Sequence, residues 1–400
     1  MKEKILYVSK HYPSCMVDEV KKHTKNGYFD NASYNYQNTL IRGLDTYLDL
    51  TILTQPPIGS WPKQYSEITI AQKSFSHIEG SQDECVGFCN IVGLKMISKA
   101  RKMFCRVKAR LQADKEIKTI VVYGLHSPFL LVMKHIKRQF PYVKILQIVP
   151  DLPQFMGHQG GLHDFMKLFD YKLINSLCAY CDGFVLFSEP MKESLNLHGN
   201  PYIVIEGICD DSERVYKTEK SKERSILYTG SLDVRYSVDR LVSAFRTTTN
   251  PDYRLWVRGN GFHAALVKDA AKEDSRIKYF EPMSRQDLLE LQHQATVLVN
   301  PMLPTEVSAK YFFPSKTMDY MASGTPVLMY KLPCLPSDYN DYLFLLENDS
   351  INTLTNKIEE LFNMTDETLA EFGDKASKFV LEQKNPQAQA SKIREFIGRI

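Results

Sequence analysis

Residues 226–245, ILYTGSLDVRYSVDRLVSAF, contain the pattern that decides the fold. A short apolar run comes first, a turn at Gly230 follows, and apolar residues at helical spacing complete the unit. This order of strand, turn and helix recurs along the chain. Alternating strands and helices form parallel sheets that are covered on both faces, so the sequence predicts an α/β fold.

Short β-branched and aromatic runs predict the strands. They fall into two series: KILYV, LTILT, TIVVY, KILQIV, GFVLF and YIVI, and then ILYTG, YRLWVR, RIKYF, TVLVNP and PVLMY. Two series predict two doubly wound, Rossmann-like parallel-sheet domains, which the length of 400 residues also favours. The domains are expected at 1–208 and 225–382, joined by a polar linker at 209–224 and followed by a terminal helix at 383–400.

The composition is that of a globular protein, with 44% apolar and 24% charged residues. No run reaches the roughly 18–20 apolar residues that span a bilayer, and the apolar core at the start is too short for a secretory signal. A cytoplasmic protein is therefore expected. Eight widely spaced cysteines are typical of free thiols rather than of a disulfide framework. The net charge of +3 distinguishes no class of partner.

Open parallel sheets bind ligands beyond the carboxyl ends of their strands, and two facing sheets would place the site in the cleft between the domains. The residues just after each strand are therefore the candidates. In the second series, Gly230 allows a sharp turn, and Arg235 lies near a helix start, where a cation and exposed amides favour an anion. A surface arginine on an ordinary loop is the alternative.

VRGNGFHAALV, residues 257–267, follows a strand, opens a helix and contains the spacing G-x-G-x-x-A through Gly259 and Gly261. This spacing matches a dinucleotide-binding fingerprint, and Glu281 follows the next strand, where such a site has its ribose-binding acid. Because the unit lies in the second half of the chain, a different nucleotide is favoured over nicotinamide or flavin. A purely structural turn is the remaining alternative.

FPSKTMDYMASGTPVL, residues 313–328, predicts a helix that starts after a proline turn and ends at a glycine. Ser315 and Lys316 supply hydrogen-bond donors at its start, and Asp319 lies one turn further on. Donors on phosphates and an acid on ribose hydroxyls would suit a nucleoside diphosphate. A capped amphipathic helix with one solvated acid is the alternative.

Polar residues also follow strands of the first series. His126 comes after TIVVY, where its imidazole can bond a substrate hydroxyl, although histidines also occur in ordinary cores. Asp151 follows KILQIV in a loop that two prolines stiffen. Ser188 and Glu189 follow GFVLF. We expect these last three residues on the acceptor side of the site.

Two stretches have features of metal sites. CAYC, residues 178–181, has zinc or redox spacing but no second pair, and HQGGLHD, residues 158–164, offers two histidines and an acid on a glycine-rich loop. Buried thiols and a substrate loop are favoured over metal ligands, so no metal is expected. No G-x-x-x-x-G-K-[ST] sequence is present, which argues against ATP hydrolysis of the Walker type.

Residues 93–111, GLKMISKARKMFCRVKARL, carry basic side chains and no acid. The apolar residues at helical spacing are Ile97, Ala100, Phe104, Val107 and Leu111. A basic amphipathic helix of this kind can lie on an anionic membrane, and a helix whose charges are merely solvated is the alternative. No aromatic platform accompanies the charge, so nucleic acid is not expected as a partner.

Taken together, these motifs resemble the retaining family-4 glycosyltransferases of the GT-B architecture, especially enzymes of bacterial surface-polysaccharide assembly. The resemblance extends over nearly the whole chain. Its motifs are YTGSLDVRYSVDRLVSAF, GNGFHAALV, ATVLVNP and FPSKTMDYMASGTPVL in the second half, and HSP, VPDLP, LFSEPM and VIEGICD in the first. It implies two Rossmann-like domains that face each other across a cleft, with the last helix packed back on the first domain.

The family implies transfer of a hexose from a UDP- or GDP-sugar to an acceptor hydroxyl, with retained configuration, no tightly bound cofactor and no metal. It also implies an N-terminal acceptor domain, a C-terminal donor domain, a lipid-linked glycan acceptor and a place on the inner face of the plasma membrane. By motif, Arg235 and Lys316 match diphosphate contacts, and Asp319 matches the ribose-binding acid. His126 matches the residue at the donor sugar or reacting centre.

The chain departs from the family at two places. The family has two glutamates with seven residues between them; here the second place is Asp319 and the first is Tyr311, with Glu306 as the nearest acid upstream. Many relatives carry a glycine pair after the first strand, where this chain has SKHYPSCMVDEV. Two alternatives remain open: a nucleotide-sugar epimerase of the same architecture, and a catalytically silent, glycosyltransferase-like partner subunit, which Tyr311 motivates.

Overall fold

The computed structural model describes residues 2–25, 27, 29–155, 162–212 and 218–400. They form two compact units, of which the first comprises Met1–Glu206 with Pro386–Ile400 and the second comprises Gly207–Asn385. The chain therefore leaves the first unit two residues before the expected boundary at 208 and returns to it after Asn385. The described residues of the expected linker, 209–212 and 218–224, belong to the second unit.

The first unit is built on a mainly parallel sheet. Its described strands are β1 (Glu3–Ser9), β2 (Leu48–Thr54), β3 (Thr69–Ile70), β4 (Lys73–Phe75), β5 (Asp83–Cys85), β6 (Phe88–Cys89), β7 (Thr119–Tyr123), β8 (Lys144–Val149), β9 (Gly183–Leu186) and β10 (Tyr202–Val204). The main sheet has the order β10-β9-β8-β7-β1-β2-β5-β4, in which β4 runs antiparallel to β5, while β3 and β6 pair separately. The order reverses between β1 and β7, the topological switch point of a doubly wound sheet.

Helices connect these strands and cover the sheet. The described helices of this part are α1 (Val17–His23), α2 (Asn31–Tyr47), α3 (Lys95–Ala113), α4 (Ser127–Gln139), α5 (Leu162–Leu177) and α6 (Met191–Ser194). Because both faces are covered, the central strands are buried along their length, as Ile5, Leu6 and Tyr7 of β1 show.

The second unit has an all-parallel sheet with strands β11 (Arg224–Thr229), β12 (Tyr253–Arg258), β13 (Ile277–Phe280), β14 (Val297–Asn300), β15 (Val327–Tyr330) and β16 (Phe344–Leu346). Its order, β13-β12-β11-β14-β15-β16, reverses between β11 and β14. The helices are α7 (Val238–Arg246), α8 (Ala264–Glu273), α9 (Arg285–Gln294), α10 (Val307–Tyr311), α11 (Lys316–Ala322), α12 (Ile351–Phe362) and α13 (Asp366–Gln383). This is a second Rossmann-like unit.

The chain returns to the first unit in its last helix, α14 (Pro386–Ile397). A break between Gln383 and Pro386 separates this helix from α13, as expected where a proline cannot continue a helix. Helix α14 packs on α2, and Gly43 of α2 lies so close to Pro386 that a Cβ there would collide with the Pro386 carbonyl group. A glycine is therefore required at this crossing.

Every strand predicted from the sequence is present, which confirms the α/β fold with two Rossmann-like units. Strands β3, β4, β5, β6 and β16 were not predicted. They are two or three residues long, too short for a periodic pattern.

All eight cysteines are free thiols. Cys178 and Cys181 of CAYC are buried, and burial raises the pKa of the Cys178 thiol to about 12. No group of three or more metal-binding side chains occurs within the described ranges, and residues 158–161 of HQGGLHD lie outside them. None of the helices described above is both long and apolar enough to cross a membrane.

A buried histidine between two acids fastens the β5 side of the first sheet. His77 Nδ1 lies 2.6 Å from Asp83 Oδ2, and His77 Nε2 lies 3.1 Å from Asp45 Oδ1. Burial alone would lower the pKa of His77, but the bonds to Asp45 and Asp83 outweigh it and raise this pKa to about 9. Asp83 also accepts a hydrogen bond from the Ile52 N–H of β2, so the protonated histidine links α2, β2 and β5.

We predict that His77→Gln destabilises the protein by about 2–3 kcal/mol near neutral pH and much less at high pH. The folded pKa lies above the unfolded value of roughly 6.5. The contribution of His77 is therefore complete below that value and disappears as the pH rises through about 9. Urea unfolding of the variant and the wild type at several pH values measures the difference. The exposed His135 provides the control, His135→Gln, and a pH-independent difference for His77→Gln would contradict the prediction.

Candidate functional site

A glycine turn follows β11 at the switch point of the second sheet. Gly230 has φ +139°, a conformation that other residues rarely adopt. A Cβ on Gly230 would lie 2.8 Å from Lys316 Nζ, so the absence of a side chain makes room for the lysine. The turn predicted at Gly230 thus also positions the ammonium group of Lys316.

Two tyrosine rings enclose Lys316. Its Nζ lies 4.3 Å from the ring centroid of Tyr228 and 4.1 Å from that of Tyr236, and it donates a 2.8 Å hydrogen bond to the Tyr228 hydroxyl. Among the described residues no carboxylate pairs with this lysine, and burial lowers its pKa to about 7. An anion placed here would restore the full charge of the ammonium group.

Helix α11 is fastened to the end of β11 by Tyr320. The Tyr320 hydroxyl donates to the Thr229 carbonyl oxygen and accepts from the Thr229 N–H, both at 2.8 Å. Gln292 of α9 donates to Thr229 Oγ1 at 3.1 Å. These buried bonds fix α11, and with it Lys316 and Asp319, beside the turn that follows β11.

Arg235 lies in the loop between β11 and α7. It is exposed, its guanidinium lies 5.6 Å from the Tyr236 ring, and no described carboxylate forms an ion pair with it. Ser237, two residues later, directly precedes α7 and has φ +52°. The structure thus leaves Arg235 available to a ligand and places Tyr236 next to both Arg235 and Lys316.

The two glycines of the fingerprint lie in the loop between β12 and α8. A Cβ on Gly259 would collide with the Gly230 carbonyl oxygen, and one on Gly261 would lie 2.7 Å from the Leu232 carbonyl carbon. Leu232 N–H also donates to Asn260 O at 2.8 Å. Close packing of the two loops therefore requires these glycines even without a ligand.

Glu281, the candidate ribose-binding acid of the fingerprint, is exposed and pairs with Lys268 at 2.9 Å.

Asp319 is half-exposed, one turn after Lys316 on α11. Its Oδ2 lies 3.3 Å from Nη1 of Arg285, the first residue of α9. Sequence reasoning missed Arg285, because nothing in its local pattern distinguishes it from other surface arginines. The pair is open to solvent, so a ligand hydroxyl can reach the carboxylate.

The remaining candidates of the second unit lie close in sequence to α11. Ser315 is exposed at the start of the helix and forms no capping hydrogen bond through its side chain. After β14, Glu306 precedes α10 and Tyr311 ends it. Tyr311 is buried, whereas Glu306 is partly exposed. Glu306 is thus an acid that solvent can reach in the segment between β14 and α11.

At the switch point of the first sheet, Lys10 directly follows β1 and His126 follows β7. Gly124 has φ +88°, and a Cβ there would lie 3.5 Å from Lys10 Nζ. His126 is partly buried and its Nδ1 has no hydrogen-bond partner. Burial and the ammonium groups of Lys99, Lys10 and Lys95 hold the pKa of His126 well below its ordinary value, so its imidazole is neutral at pH 7.

Asp151 follows β8, next to β7 in the sheet. Burial raises the pKa of its carboxyl group to about 6, with Asp30 adding to this effect and Lys10 opposing it. Lys10 was missed by sequence reasoning, although its position directly after the first strand could have found it. The structure thus brings Lys10, His126 and Asp151 to neighbouring strand ends.

The other two acceptor-side candidates lie further along the sheet. Ser188 is fully buried after β9. Glu189 is exposed and bound to Lys192 at 2.5 Å and to the Tyr202 hydroxyl at 2.7 Å, beside the edge strand β10. Glu189 is thus engaged in a surface network, two strands away from the strand that precedes His126.

Helix α3 confirms the predicted helix, but its buried face differs from the expected one. Ile97 is 67% exposed, and the buried residues are Lys99, Met103, Val107 and Leu111. The sequence predicted the buried face from the apolar residues alone, whereas the folded helix also buries Lys99. Arg106 and Arg110 pair with Glu84. The exposed basic residues are therefore fewer than the sequence indicated.

The sequence model of a family described as glycosyl transferases group 1 matches residues 223–364, which contain the whole Lys316 site. A search of curated protein sequences finds no match.

Solved structures match the chain over its full length at low identity. A sucrose-phosphate synthase from Thermosynechococcus elongatus has 14% identity and a TM-score of 0.65, covering 100% of this chain and 99% of its own. A UDP-forming α,α-trehalose-phosphate synthase from Burkholderia xenovorans, solved with glucose-6-phosphate, has 9% identity and a TM-score of 0.65, covering 98% and 99%. The lipopolysaccharide outer core galactosyltransferase WaaB has 14% identity and a TM-score of 0.63, covering 99% and 100%. The chain thus shares the fold of these enzymes, and its residues 223–364 match the glycosyl transferase family model.

Proposed function

We propose that this protein transfers a hexose from a nucleoside diphosphate sugar, such as a UDP- or GDP-sugar, to an acceptor hydroxyl with retention of configuration. The proposal rests on one observation. The ammonium group of Lys316 is held between two tyrosine rings and has no described carboxylate partner. It lies at the carboxyl end of a switch-point strand, where open α/β sheets bind ligands. The UDP-forming synthase and the galactosyltransferase among the structural neighbours support this class of reaction.

In this proposal Lys316 and Arg235 bind the diphosphate of the donor. Negative charge grows on the diphosphate as its bond to the sugar breaks, and fixed cations stabilise that charge more than they stabilise the ground state. Because burial lowers the pKa of Lys316 to about 7, the arriving diphosphate also favours its protonated form. Gly230, Gly259 and Gly261 let the loops approach the diphosphate closely, and Ser315 supplies a further donor.

The remaining steps use few protein groups. Asp319 binds ribose hydroxyls, for which its half-exposed carboxylate is suited. The departing diphosphate takes the proton of the acceptor hydroxyl while the new bond forms on the same face of the sugar. Neutral His126 bonds a hydroxyl of the sugar or acceptor through its unpartnered Nδ1. This route uses no metal and no tightly bound cofactor.

We further propose a lipid-linked glycan as acceptor, bound by the first unit at the inner face of the plasma membrane. Support comes from the N-terminal end of α3, where Val92 and Ile97 are 72% and 67% exposed and Leu94 is 55% exposed. Arg101 and Lys102, one turn beyond Ile97, are exposed and have no described ion-pair partner. Apolar side chains next to free cations suit the surface of an anionic membrane.

The proposed reaction is tested with a panel of nucleotide sugars. Thermal-shift screening should find a stabilising UDP- or GDP-sugar, because a ligand of the native state raises its apparent stability. In calorimetry with the matching nucleoside diphosphate, Arg235→Ala and Lys316→Met should each weaken binding by about 1.5–3 kcal/mol. Lys272→Ala, an exposed lysine of the same unit, is the control.

The outcomes separate the alternatives. Transfer of labelled sugar to a membrane-extracted acceptor supports the proposal, whereas conversion of the donor sugar without acceptor would indicate an epimerase. Nucleotide-sugar binding without either reaction would indicate a silent partner subunit. Nucleoside diphosphate affinities that both variants leave unchanged would remove Lys316 and Arg235 from the site.

His126→Ala is predicted to reduce transfer by about 100-fold, in the range of a lost hydrogen bond to the reacting groups, while the unfolding midpoint changes little. Initial rates and urea unfolding measure the two effects. The exposed His135 on α4, the helix that follows His126, provides the control, His135→Ala. Transfer at the wild-type rate in His126→Ala would exclude the residue from the site.

Membrane association is predicted to depend on the N-terminal end of α3. The double variants Leu94→Ser with Ile97→Ser, and Arg101→Glu with Lys102→Glu, should each lose co-sedimentation with vesicles of phosphatidylglycerol and phosphatidylcholine. Lys278→Glu with Lys272→Glu, on the second unit, is the matched control. Undiminished co-sedimentation of both α3 variants would show that this helix end is only solvated.

A further inference from the structure

Four basic side chains gather at the carboxyl edge of the first unit's sheet. Lys10 follows β1, His126 follows β7, and Lys95 and Lys99 come from the first turns of α3. Lys99 is only 2% exposed, and Lys10 Nζ lies against Gly124, next to His126 in the same loop. Lys99 and Lys95 reach carbonyl oxygens just after β2, and β2 is the neighbour of β1 in the sheet, so both lysines lie near the strand end that Lys10 follows.

The described partners of these lysines are carbonyl oxygens, a hydroxyl and a ring rather than carboxylates. Lys95 Nζ donates to Ile58 O at 2.6 Å and to Ser60 Oγ at 3.4 Å. Lys99 Nζ donates to Pro56 O at 3.4 Å and lies 4.5 Å from the Phe88 ring centroid. No ion pair with a described acid holds any of the three lysines.

The acids of this region do not neutralise the cluster. Asp151 and Asp30 act on Lys10 only from a distance, and neither forms a described ion pair with it. The Cys85 thiol is near Lys99, and burial raises the pKa of Cys85 to about 12, so this thiol is neutral. The cluster therefore has an excess of positive charge when its lysines are protonated.

A buried cluster of lysines destabilises the folded protein unless it binds an anion. Burying an ammonium group without a counter-ion is unfavourable, and burial lowers the pKa of Lys95 to about 8 and that of Lys99 well below its ordinary value. A methionine could fill the same space without that cost. One lysine at a strand end and two from the adjoining helix, at the edge where open sheets bind ligands, are thus better explained by an anion than by packing.

We propose that Lys10, Lys95 and Lys99, together with His126, form a binding site for a phosphate group of the acceptor. This inference rests on the proposed transferase function and specifies its acceptor as a phosphate or diphosphate ester. The lysines donate charge-assisted hydrogen bonds to the phosphate oxygens, and Nδ1 of His126 is left for a neighbouring hydroxyl. The site is distinct from the exposed cations of α3, which point to solvent.

The experiment measures the binding of inorganic pyrophosphate by calorimetry to the full chain. In Lys316→Met, which weakens the donor site, one pyrophosphate site should remain. Adding Lys99→Met should weaken that remaining site by at least about tenfold, the scale of one lost charge-assisted bond. Lys102→Met, an exposed lysine of the same helix, is the control and should leave it unchanged. Loss of all pyrophosphate binding in Lys316→Met alone, or no further loss with Lys99→Met, would overturn the inference.

Folding of the variant and nucleotide affinity are measured alongside pyrophosphate binding. Lys99→Met should raise the melting temperature, because it removes a buried amine; if the variant fails to fold, Lys10→Met at the less buried position serves instead. Wild-type nucleoside diphosphate affinity in Lys99→Met with no second pyrophosphate site would refute the acceptor site and leave the transferase proposal standing. If pyrophosphate binds at the Lys99 site but the protein binds no nucleotide, the transferase proposal is refuted and only an anion site remains.

Competition identifies the source of the phosphate. A prenyl diphosphate in detergent micelles and a soluble hexose phosphate are each titrated against pyrophosphate bound to Lys316→Met. Stronger competition by the prenyl diphosphate supports a lipid-linked acceptor, and stronger competition by the hexose phosphate supports a soluble one. No competition by either ester would contradict a phosphorylated acceptor.

Discussion

The second unit depends on an ammonium group, that of Lys316, held against a glycine turn by two tyrosine rings. The rings of Tyr228 and Tyr236 attract the cation but provide no full negative charge, so the lysine is half-buried and electrostatically incomplete. Its position is rigid, because Tyr320 bonds both backbone groups of Thr229 at the end of β11. Gly230, in turn, must lack a side chain for the lysine to lie where it does. The glycine turn and the two aromatic residues thus serve one purpose, to hold the ammonium group of Lys316, whose pKa burial lowers to about 7.

The first unit repeats this principle with different residues. In both units a lysine lies at the switch point of a doubly wound sheet, against a glycine with positive φ and without a described ion-pair partner. In the second unit the lysine comes from α11, and in the first it is Lys10, at the end of β1 itself. This similarity follows from topology: strand ends diverge at a switch point, and side chains there line a crevice that a ligand can enter. The anion sites proposed for the two units therefore occupy equivalent positions.

The long strands and several candidate site residues could be predicted from the sequence. Strong β-branched runs identified the long central strands. The rule that ligands lie beyond strand ends led to His126 and Asp151, and the pattern of a proline-started helix with donors and an acid led to Lys316 and Asp319. The pairwise geometry could not be predicted: Tyr228 and Tyr236 meet Lys316 only after the chain turns at Gly230, and Arg285 reaches Asp319 from another helix. On α3, the apolar pattern placed Ile97 inside, but Ile97 is exposed in the folded helix and Lys99 is buried. Charge placement of this kind depends on tertiary contacts rather than on periodicity.

The central claim, that Lys316 is an incompletely paired cation awaiting a diphosphate, is tested most directly by its own titration. NMR of the protein with isotope-labelled lysine side chains, with Lys316→Met to identify the resonance, gives the pKa of this one group. We expect a pKa of about 7 in the free protein and a clear increase when a nucleoside diphosphate saturates the site. An ordinary lysine pKa in the free protein, or a value that the nucleotide leaves unchanged, would contradict it.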